Sequence, residues 1–176
     1  MSVIAVRVNE KTIDIAGDSQ TSWGSNKFPK ADVSDAQTKA YGKIWQTNGM
    51  TFGCAGSCAH IGLLQIFAKT HKPKEMEKDF IMDWFMEFRE WLSNKAKIGW
   101  NELSLHAVII DKGKAFTFYD FMDINEIKTF DSVGSGMWLA IGAMECGADA
   151  VEAVRVASKY DKGCGGETTK LTIKKS

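Results

Sequence analysis

Alternating polar and β-branched apolar residues predict a hairpin at the start of the chain. Residues 3–8 are mostly apolar and β-branched, with Arg7 on the opposite face, and residues 12–16 repeat the strand pattern after a polar break. A hairpin formed by these two runs returns the chain to its beginning. We therefore expect Asp18, which follows the second run, to lie beside the amino terminus.

A second hairpin is predicted after a long polar stretch. Residues 19–41 are polar and include several Ser, Asp and Lys residues, which predicts an excursion over the surface. Residues 43–47 and 50–54 are strand-like runs on either side of Asn48-Gly49, a dipeptide that favours a tight two-residue turn. We expect both hairpins to lie in one antiparallel sheet.

Two helices are predicted next, because the apolar period lengthens to that of a helix. Residues 59–68 carry apolar side chains at helical spacing, and Pro73 ends this segment. Residues 78–95 carry an apolar stripe rich in aromatic residues, which is typical of a helix that covers a core. The stripe consists of Ile81, Trp84, Phe85, Phe88, Trp91 and Leu92.

The second half of the chain repeats the order of strands followed by helices. Strands are predicted over residues 103–110 and 115–121, with a short edge strand within residues 124–130. A tight loop is then expected at Val133-Gly134-Ser135-Gly136. Helices over residues 138–146 and 148–160 and a last strand containing Leu171 and Ile173 complete the chain.

This order predicts the fold class. Strands linked by hairpins pair with each other, and each pair of helices needs a sheet on which to bury its apolar stripe. We therefore expect an α+β protein, a four-layer αββα sandwich of two antiparallel sheets. At 176 residues the chain is expected to form one domain, residues 1–176, that buries roughly 70% of its unfolded surface.

Composition excludes several classes of function. Lys plus Arg and Asp plus Glu are both 22, so no net charge attracts the chain to nucleic acid or to an anionic membrane. The amino terminus resembles no signal peptide and no apolar run is long enough to span a membrane, so a cytoplasmic protein is expected. The four cysteines have no zinc-ligand spacing and are expected to be free thiols.

The second residue offers an unusual chemistry. Removal of Met1, which is expected before a small residue such as serine, would leave Ser2 with both a hydroxyl and a free α-amine. An α-amine has a pKa near ~7.7–8.0, so it can accept the hydroxyl proton at neutral pH. Ser2 could then be a nucleophile that carries its own base. Many chains begin with Met-Ser, however, and this feature alone is weak.

Five short motifs, taken together and in order, point to a family. They are Ile15-Ala16-Gly17-Asp18-Ser19, Lys43-Ile44-Trp45, Gly53-Cys54-Ala55-Gly56, Val133-Gly134-Ser135-Gly136, and Tyr160-Asp161 with Gly165-Gly166. In these motifs the chain resembles, over nearly its whole length, the proteasome β-subunit family of N-terminal nucleophile hydrolases, which includes the bacterial peptidase HslV. The resemblance implies the αββα fold and peptide-bond hydrolysis without a cofactor or metal.

The resemblance also implies roles for particular residues. Ser2 falls at the position of the nucleophile, which is threonine in most members, and Asp18 matches the acid that pairs with the catalytic lysine, placed here at Lys43. Gly56 would offer its backbone N–H to the developing oxyanion. The residues that hold the free amino terminus and its water would be Ser135 and Asp161.

Two assignments stay open at this point. The spacing from Asp18 to Lys43 is long, so Lys39 is an alternative to Lys43 as the catalytic lysine. Aligning Val6-Arg7 with the family's first strand would instead put Met1 in the nucleophile position, as expected of a catalytically silent subunit.

The resemblance further implies partners. The substrate would be a peptide or unfolded protein, and the chain would act in a homo-oligomeric ring of six or seven subunits, single or stacked. Assembly is also expected because one stripe has too many apolar side chains to bury, among them Met82, Trp84, Met86 and Trp91. An ATP-dependent unfoldase is a further partner that the resemblance allows. The alternatives are a silent assembly subunit that keeps Met1 and an amidohydrolase of small molecules that acts as an isolated subunit.

Overall fold

The computed structural model describes residues 1–20, 22–23, 26–27 and 42–175. Most of the predicted surface excursion, and Lys39 with it, lies outside these residues. The strands of the first half are β1 (Val3–Val8), β2 (Thr12–Asp18), β3 (Ser22–Trp23), β4 (Asn26–Lys27), β5 (Ile44–Thr47) and β6 (Met50–Gly56). Those of the second half are β7 (Leu105–Asp111), β8 (Lys114–Tyr119), β9 (Ile124–Glu126), β10 (Phe130–Gly134) and β11 (Thr168–Lys174).

Two pairs of helices accompany these strands. Helices α1 (Cys58–Ala68) and α2 (Lys78–Ala96) follow β6, whereas α3 (Met137–Glu145) and α4 (Ala150–Tyr160) follow β10. The Asp149 carboxylate caps α4 by accepting the N–H of Glu152 at 2.9 Å. Among the residues that the structure describes, no helix is long and apolar enough to cross a membrane.

The strands form two antiparallel sheets beside the short β3–β4 pair. The four-stranded sheet has the order β10-β1-β2-β11, so the first strand of the chain is an interior strand. The five-stranded sheet has the order β5-β6-β7-β8-β9. The predicted tight turn at Asn48-Gly49 joins β5 to β6 in this sheet.

The two sheets stack face to face, and each carries a pair of helices on its outer face. Between the sheets lies an aliphatic layer that includes Ile4, Ile15, Val108 and Val133. Helices α1 and α2 cover the five-stranded sheet, and α3 and α4 cover the four-stranded one. The predicted α+β fold, a four-layer αββα sandwich of two antiparallel sheets, is therefore confirmed.

One detail of the sheet prediction was wrong, because the two hairpins lie in different sheets. The β1–β2 hairpin belongs to the four-stranded sheet and β5–β6 to the five-stranded sheet. They meet face to face: a Cβ on Gly53 would lie 2.6 Å from side-chain atoms of Ile4 and Ile15. Two hairpins with one apolar face each can bury those faces by stacking, and the apolar pattern does not distinguish stacking from pairing at an edge.

Two shorter predictions also need correction. Residues 124–130 do not make one edge strand, because β9 pairs with β8 in one sheet and β10, which starts at Phe130, pairs with β1 in the other. The predicted loop at Val133-Gly134-Ser135-Gly136 begins later than expected. Val133 and Gly134 end β10, where they pair with Ile4 and Val3. Glycine weakens a strand, but its backbone can still form the hydrogen bonds of the ladder.

The aromatic stripe of α2 is buried largely as predicted. Trp84, Phe85 and Phe88 are buried, and Trp91 is partly buried. Met82 and Met86 are partly buried as well. The prediction that this helix carries more apolar surface than one chain can bury is therefore wrong, since the rest of the chain covers most of that surface. Among the described side chains, the large apolar ones that are exposed lie elsewhere, at Met1, Ile66, Trp100, Phe121, Trp138, Leu139 and Tyr160.

Candidate active site

Ser2 lies at the end of the four-stranded sheet, immediately before β1. It is only 4% exposed, although it is the second residue of the chain. Its backbone N–H donates to the Ser135 hydroxyl at 3.2 Å, and its carbonyl oxygen accepts the N–H of Gly136 at 3.2 Å. The Ser2 hydroxyl donates to the carbonyl oxygen of Met1 at 2.6 Å. The serine is thus held by its backbone, and its hydroxyl points at the preceding peptide group.

Asp18, which is buried, and Lys43, which is half-buried, form an ion pair beside this serine. Lys43 Nζ lies 2.7 Å from Asp18 Oδ1, and the side chains are 14% and 0% exposed. The same carboxylate oxygen accepts the N–H of Val3 at 2.9 Å, which places the pair one residue from Ser2. Asp18 Oδ2 accepts the backbone N–H groups of Gln20 and Gly165 at 3.3 and 3.1 Å. A buried carboxylate needs such donors, and here they fix its position.

Asp18 and Lys43 belong to different sheets. Asp18 ends β2 of the four-stranded sheet, whereas Lys43 immediately precedes β5 of the five-stranded sheet. The ion pair therefore exists only because the hairpins stack face to face. Through Lys43, the five-stranded sheet contributes a positive charge to the region around Ser2.

Ser135 and Asp161 meet on the other side of Ser2 through a third residue. Cys164 donates from its thiol to Asp161 Oδ2 at 3.3 Å, and its sulfur lies 3.8 Å from the Ser135 hydroxyl oxygen. Asp161 Oδ1 accepts the N–H of Gly163 at 2.8 Å. These contacts link Ser135, in the turn before α3, to Asp161 and Cys164, in the turn after α4. Both turns therefore position the Ser135 hydroxyl, which accepts the Ser2 N–H.

The charges of this cluster are set by its contacts. Burial tends to raise the pKa of Asp161, but hydrogen bonds from Gly163, Ser135 and Cys164, with the positive amino terminus nearby, lower it below its ordinary value. Burial raises the pKa of the Cys164 thiol to about 12, and the hydrogen bond with Asp161 adds to that effect. At neutral pH Cys164 is therefore a protonated donor and Asp161 is a charged acceptor.

Two glycines are required by close backbone contacts at the site. Gly134 has φ +100°, and a Cβ there would lie 2.2 Å from the Ser2 carbonyl oxygen. Gly56 has φ +128°, and a Cβ there would lie 2.4 Å from the Ser104 carbonyl oxygen. Ala55, which precedes Gly56, lies 3.2 Å from the same Cβ position on Gly134, so the end of β6 reaches the neighbourhood of Ser2.

The structure therefore brings together most of the residues singled out from the sequence. Ser2, Asp18 and Lys43 lie together on one side, and Ser135 and Asp161 complete the group on the other. Gly56 ends the adjacent strand, with no direct contact to Ser2 among those described. Lys39 lies outside the described residues, so the structure gives no comparison of Lys39 with Lys43.

Three contributors were given no role from the sequence, although Gly165 lies in one of the five motifs. Cys164 links Ser135 to Asp161, and the backbone N–H groups of Gln20 and Gly165 hold Asp18. Backbone donors leave no signature in residue identity. Cys164 lies three residues after Asp161 in a glycine-rich turn, and this spacing does not mark it as a hydrogen-bond donor to the acid.

The arrangement can support acyl transfer. It has the Ser2 hydroxyl at a fixed position and a lysine paired with the carboxylate that binds the next residue's N–H. The Ser135 hydroxyl binds the nitrogen of the same serine, and Cys164 connects that hydroxyl to the Asp161 carboxylate. Cleavage of the Met1–Ser2 bond would turn that nitrogen into an amine able to accept a proton. Among the described residues, no group of three or more His, Cys, Asp or Glu side chains is arranged to hold a metal ion.

Solved structures of other proteins share this architecture over nearly the full length of the chain. The chain superposes on Thiobacillus denitrificans BPH, both alone and in complex with epoxomicin, with a TM-score of 0.84, 20% sequence identity and coverage of 99% of this chain and 98–99% of that one. It also superposes on eukaryotic HslV from Trypanosoma brucei, with a TM-score of 0.70, 17% identity and coverage of 98% and 99%. No protein-family model and no curated protein sequence matches the chain.

These likenesses establish the fold over the whole chain. The protein has the αββα fold of HslV, as the resemblance in its motifs implied. Sequence identities of 17–20% identify an architecture, whereas the activity has to be argued from the site itself.

Proposed function

We propose that this protein is an N-terminal nucleophile peptidase in which Ser2 attacks the peptide bonds of unfolded proteins. The observation that carries the proposal is the Asp18–Lys43 pair. A half-buried lysine 2.7 Å from a buried carboxylate that also binds the N–H of Val3 serves no evident packing purpose at the end of a sheet. Such a pair beside a buried serine hydroxyl is the expected environment of an activated nucleophile.

The first step follows from the position of Ser2. Once Met1 is removed, the Ser2 α-amine accepts the hydroxyl proton, directly or through a water, while Oγ attacks the carbonyl carbon of the substrate. Ser135, whose hydroxyl lies 3.2 Å from the Ser2 nitrogen, holds the amine in place, and Asp161 and Cys164 hold Ser135. The proton stays on the amine until the leaving group needs it.

The later steps use the other side of the site. The N–H of Gly56 donates to the oxyanion of the tetrahedral intermediate, and such a donor is typically worth about 3 kcal/mol in the transition state. The C–N bond then breaks, the leaving amine takes the proton from the Ser2 amine, and the acyl group remains on Oγ as an ester. Water hydrolyses the ester and restores the hydroxyl. The Lys43 ammonium favours the hydroxyl's deprotonation throughout by its positive field.

We infer that this activity is exerted in a homo-oligomeric ring, single or stacked, on peptide or unfolded protein. The exposed Trp138 and Tyr160 support assembly, because they are 72% and 65% exposed and neighbour the turns that carry Ser135 and Asp161. A ring would restrict entry to unfolded chains. Light scattering at micromolar concentration is expected to give the mass of a ring, and a monomer that hydrolyses peptides would instead support an amidohydrolase acting as an isolated subunit.

Epoxomicin offers a direct test, because it is bound in one of the Thiobacillus denitrificans BPH structures. The protein is incubated with epoxomicin, and intact mass and peptide mapping locate any adduct. We expect one adduct per chain, on a peptide that begins at Ser2, and none on a Ser2→Ala variant that has lost Met1. A fully assembled protein that retains Met1, binds no epoxomicin and hydrolyses no peptide would instead be a silent subunit.

A further inference from the structure

His60 is a half-buried histidine near the site, and the proposed reaction gives it no role. It lies in the first turn of α1, two residues after the helix begins at Cys58. Its Nδ1 atom accepts the backbone N–H of Ser104 at 3.0 Å, which leaves the ring proton on Nε2. Ser104 in turn lies against Gly56, since a Cβ on Gly56 would be 2.4 Å from the Ser104 carbonyl oxygen.

The ladder between β6 and β7 explains why Ser104 turns to a side chain. Gly56 and Leu105 are the last paired residues of these strands, so Ser57 and Ser104 stand opposite each other one step further. Every second pair of opposed residues in an antiparallel ladder exchanges two hydrogen bonds. The first of these bonds is present here, from the Ser57 N–H to the Ser104 carbonyl oxygen at 3.0 Å.

The second bond of this pair is replaced, because α1 uses its acceptor. The Ser57 carbonyl oxygen accepts the N–H of Ile61 at 3.0 Å and so begins the helix. His60 supplies another acceptor to Ser104 from the same helical turn. Ser104 is exposed, so water could satisfy its N–H if His60 were absent. The effect of the His60 bond is therefore to fix the position of Ser104.

This position bears on the direction of the Gly56 N–H. The Cys54 N–H donates to the Lys43 carbonyl oxygen at 2.8 Å, and alternate residues of a strand direct their N–H groups to the same side. The Gly56 N–H therefore faces the side of Lys43. Glycine can adopt many conformations, so a φ of +128° at Gly56 has to be held by its neighbours. The bond between Ser57 and Ser104 provides that restraint immediately after Gly56.

We propose that His60 is a positioning residue for the oxyanion donor. His60 holds Ser104, Ser104 holds Ser57, and this chain of two hydrogen bonds keeps the N–H of Gly56 directed into the site. The inference rests on the proposed function, in which Gly56 donates to the oxyanion. His60 itself touches no reacting atom and acts only through the backbone.

The surroundings of His60 leave its ring to Ser104. Residues 58–68 of α1 contain no Asp, Glu, Lys or Arg that could bind the imidazole. Two carboxylates on neighbouring segments bind backbone groups instead. Glu102 accepts the N–H of Gly99 at 2.6 Å, and Asp120 accepts the N–H of Leu105 at 3.3 Å.

Three variants of the protein lacking Met1 test this role. His60→Asn keeps the acceptor, because the Oδ1 atom of asparagine takes nearly the place of histidine Nδ1. His60→Leu fills a similar volume without an acceptor. His71→Leu is the control, since it removes a histidine that lies beyond the other end of α1.

Peptide hydrolysis and inhibition by a peptide aldehyde are measured for each variant. We expect His60→Leu to lower kcat about tenfold, less than the ~100-fold or more expected on deleting an oxyanion donor, because the donor is only displaced. KM should stay within about twofold, because the oxyanion forms only as the substrate reacts. The aldehyde forms an adduct with Ser2 that places an oxygen at the oxyanion position, so it should bind His60→Leu about tenfold more weakly.

The two other variants decide whether the acceptor is what matters. His60→Asn and His71→Leu should remain within about threefold of wild type in kcat and in aldehyde binding. An unchanged kcat in His60→Leu would overturn the proposal, and so would a His60→Asn variant as slow as His60→Leu. A change in KM alone would overturn it too, because that result would place His60 in substrate binding.

Hydrogen–deuterium exchange, resolved to single amides by fragmentation and mass, separates this inference from the proposed function. The amides of Ser57 and Ser104 should exchange at least about tenfold faster in His60→Leu than in wild type or His60→Asn. A wild-type protein that hydrolyses no peptide would remove the peptidase, and faster exchange would then still support the restraint on Gly56. Equal exchange in all variants would overturn the inference, whatever the activity.

Discussion

The two helix layers of this sandwich are built from different kinds of residue. On the five-stranded sheet, α1 and α2 enclose large aromatic side chains, among them Phe52, Phe67, Trp84, Phe85, Phe88 and Phe118. On the four-stranded sheet, α3 and α4 pack through small ones, chiefly Ala5, Ala16, Ala140, Ala150, Ala153 and Ala157. The residues that surround Ser2 come mainly from the second side.

The difference indicates a division of roles. Large rings bury much apolar area and make many mutual contacts, such as Phe85 with Phe118 at 4.9 Å between ring centroids. Small residues bury less apolar area, but they let a helix pack close to the sheet. This close packing brings the turns that carry Ser135 and Asp161 to the amino terminus. The aromatic side is therefore expected to govern stability, and the small-residue side to govern activity.

Between the two sides, the largest expected effect comes from removing Lys43, whose charge reaches the site from the end of the five-stranded sheet. Lys43→Ala should lower peptide hydrolysis by a hundredfold or more, on the order of other losses of acid–base groups, because the positive field beside Ser2 disappears. Lys39→Ala is the matched control and should remain close to the wild-type rate. The measurement is hydrolysis of an unstructured peptide by protein lacking Met1. Equal losses in both variants would contradict the assignment of Lys43.

The second prediction concerns the aromatic side. Phe88→Ala should lower the free energy of unfolding by about 3–5 kcal/mol, because it leaves a cavity among fully buried rings. Activity per folded molecule should persist at low temperature. Denaturant unfolding and peptide hydrolysis measure the two quantities, with the exposed Glu90→Ala on the same helix as control. Loss of activity without loss of stability would break the division of roles.

The third prediction concerns the small-residue side. Ala153 is fully buried between α4 and the sheet, so Ala153→Leu should lower the free energy of unfolding by about 1–3 kcal/mol. It should nevertheless lower activity more than Phe88→Ala does, since pushing α4 outward displaces Asp161 and Cys164 from Ser135. Arg155→Leu, at an exposed position of the same helix, is the control and should do neither. Full activity in a stable Ala153→Leu variant would contradict this account.

Some features of the fold and of the site could be predicted from the sequence, whereas others depend on long-range packing. The stripe of Trp84, Phe85 and Phe88 has a helical period that predicts its own burial, because local spacing determines which face is apolar. The assignment of the two hairpins to sheets could not be predicted, since stacking of Gly53 on Ile4 and Ile15 depends on long-range packing. Near the site, motifs pointed to Asp18 and Ser135, whereas the backbone donors to Asp18 are invisible in residue identity.

The smallest expected effect is a dependence of stability on alkaline pH. Burial raises the pKa of Cys54 and of Cys164 to about 12, whereas unfolded thiols ionise near ~8.5. A raised pKa gives stability that is complete below the unfolded value, so the free energy of unfolding should decline as pH rises from about 8.5 towards 12. Cys164→Ser should reduce that decline, which denaturant unfolding at pH 8 and pH 10 measures.

Thiol reactivity provides the control for this effect. In the native protein Cys58 and Cys146 are exposed and should be alkylated, while Cys54 and Cys164 should react only after unfolding. Rapid alkylation of Cys164 in the native state would show that its link between Ser135 and Asp161 is not the resting arrangement.

In the proposed reaction the Ser2 hydroxyl, beside its own free amine, attacks the substrate. The most direct measurement is hydrolysis of an unstructured peptide by wild type and by Ser2→Ala, each verified by mass to have lost Met1 and to form the same assembly. Ser2→Ala keeps the amine and the fold but lacks the attacking oxygen. We expect the rate of Ser2→Ala to fall to background, whereas a rate equal to that of wild type would show that another group attacks the substrate.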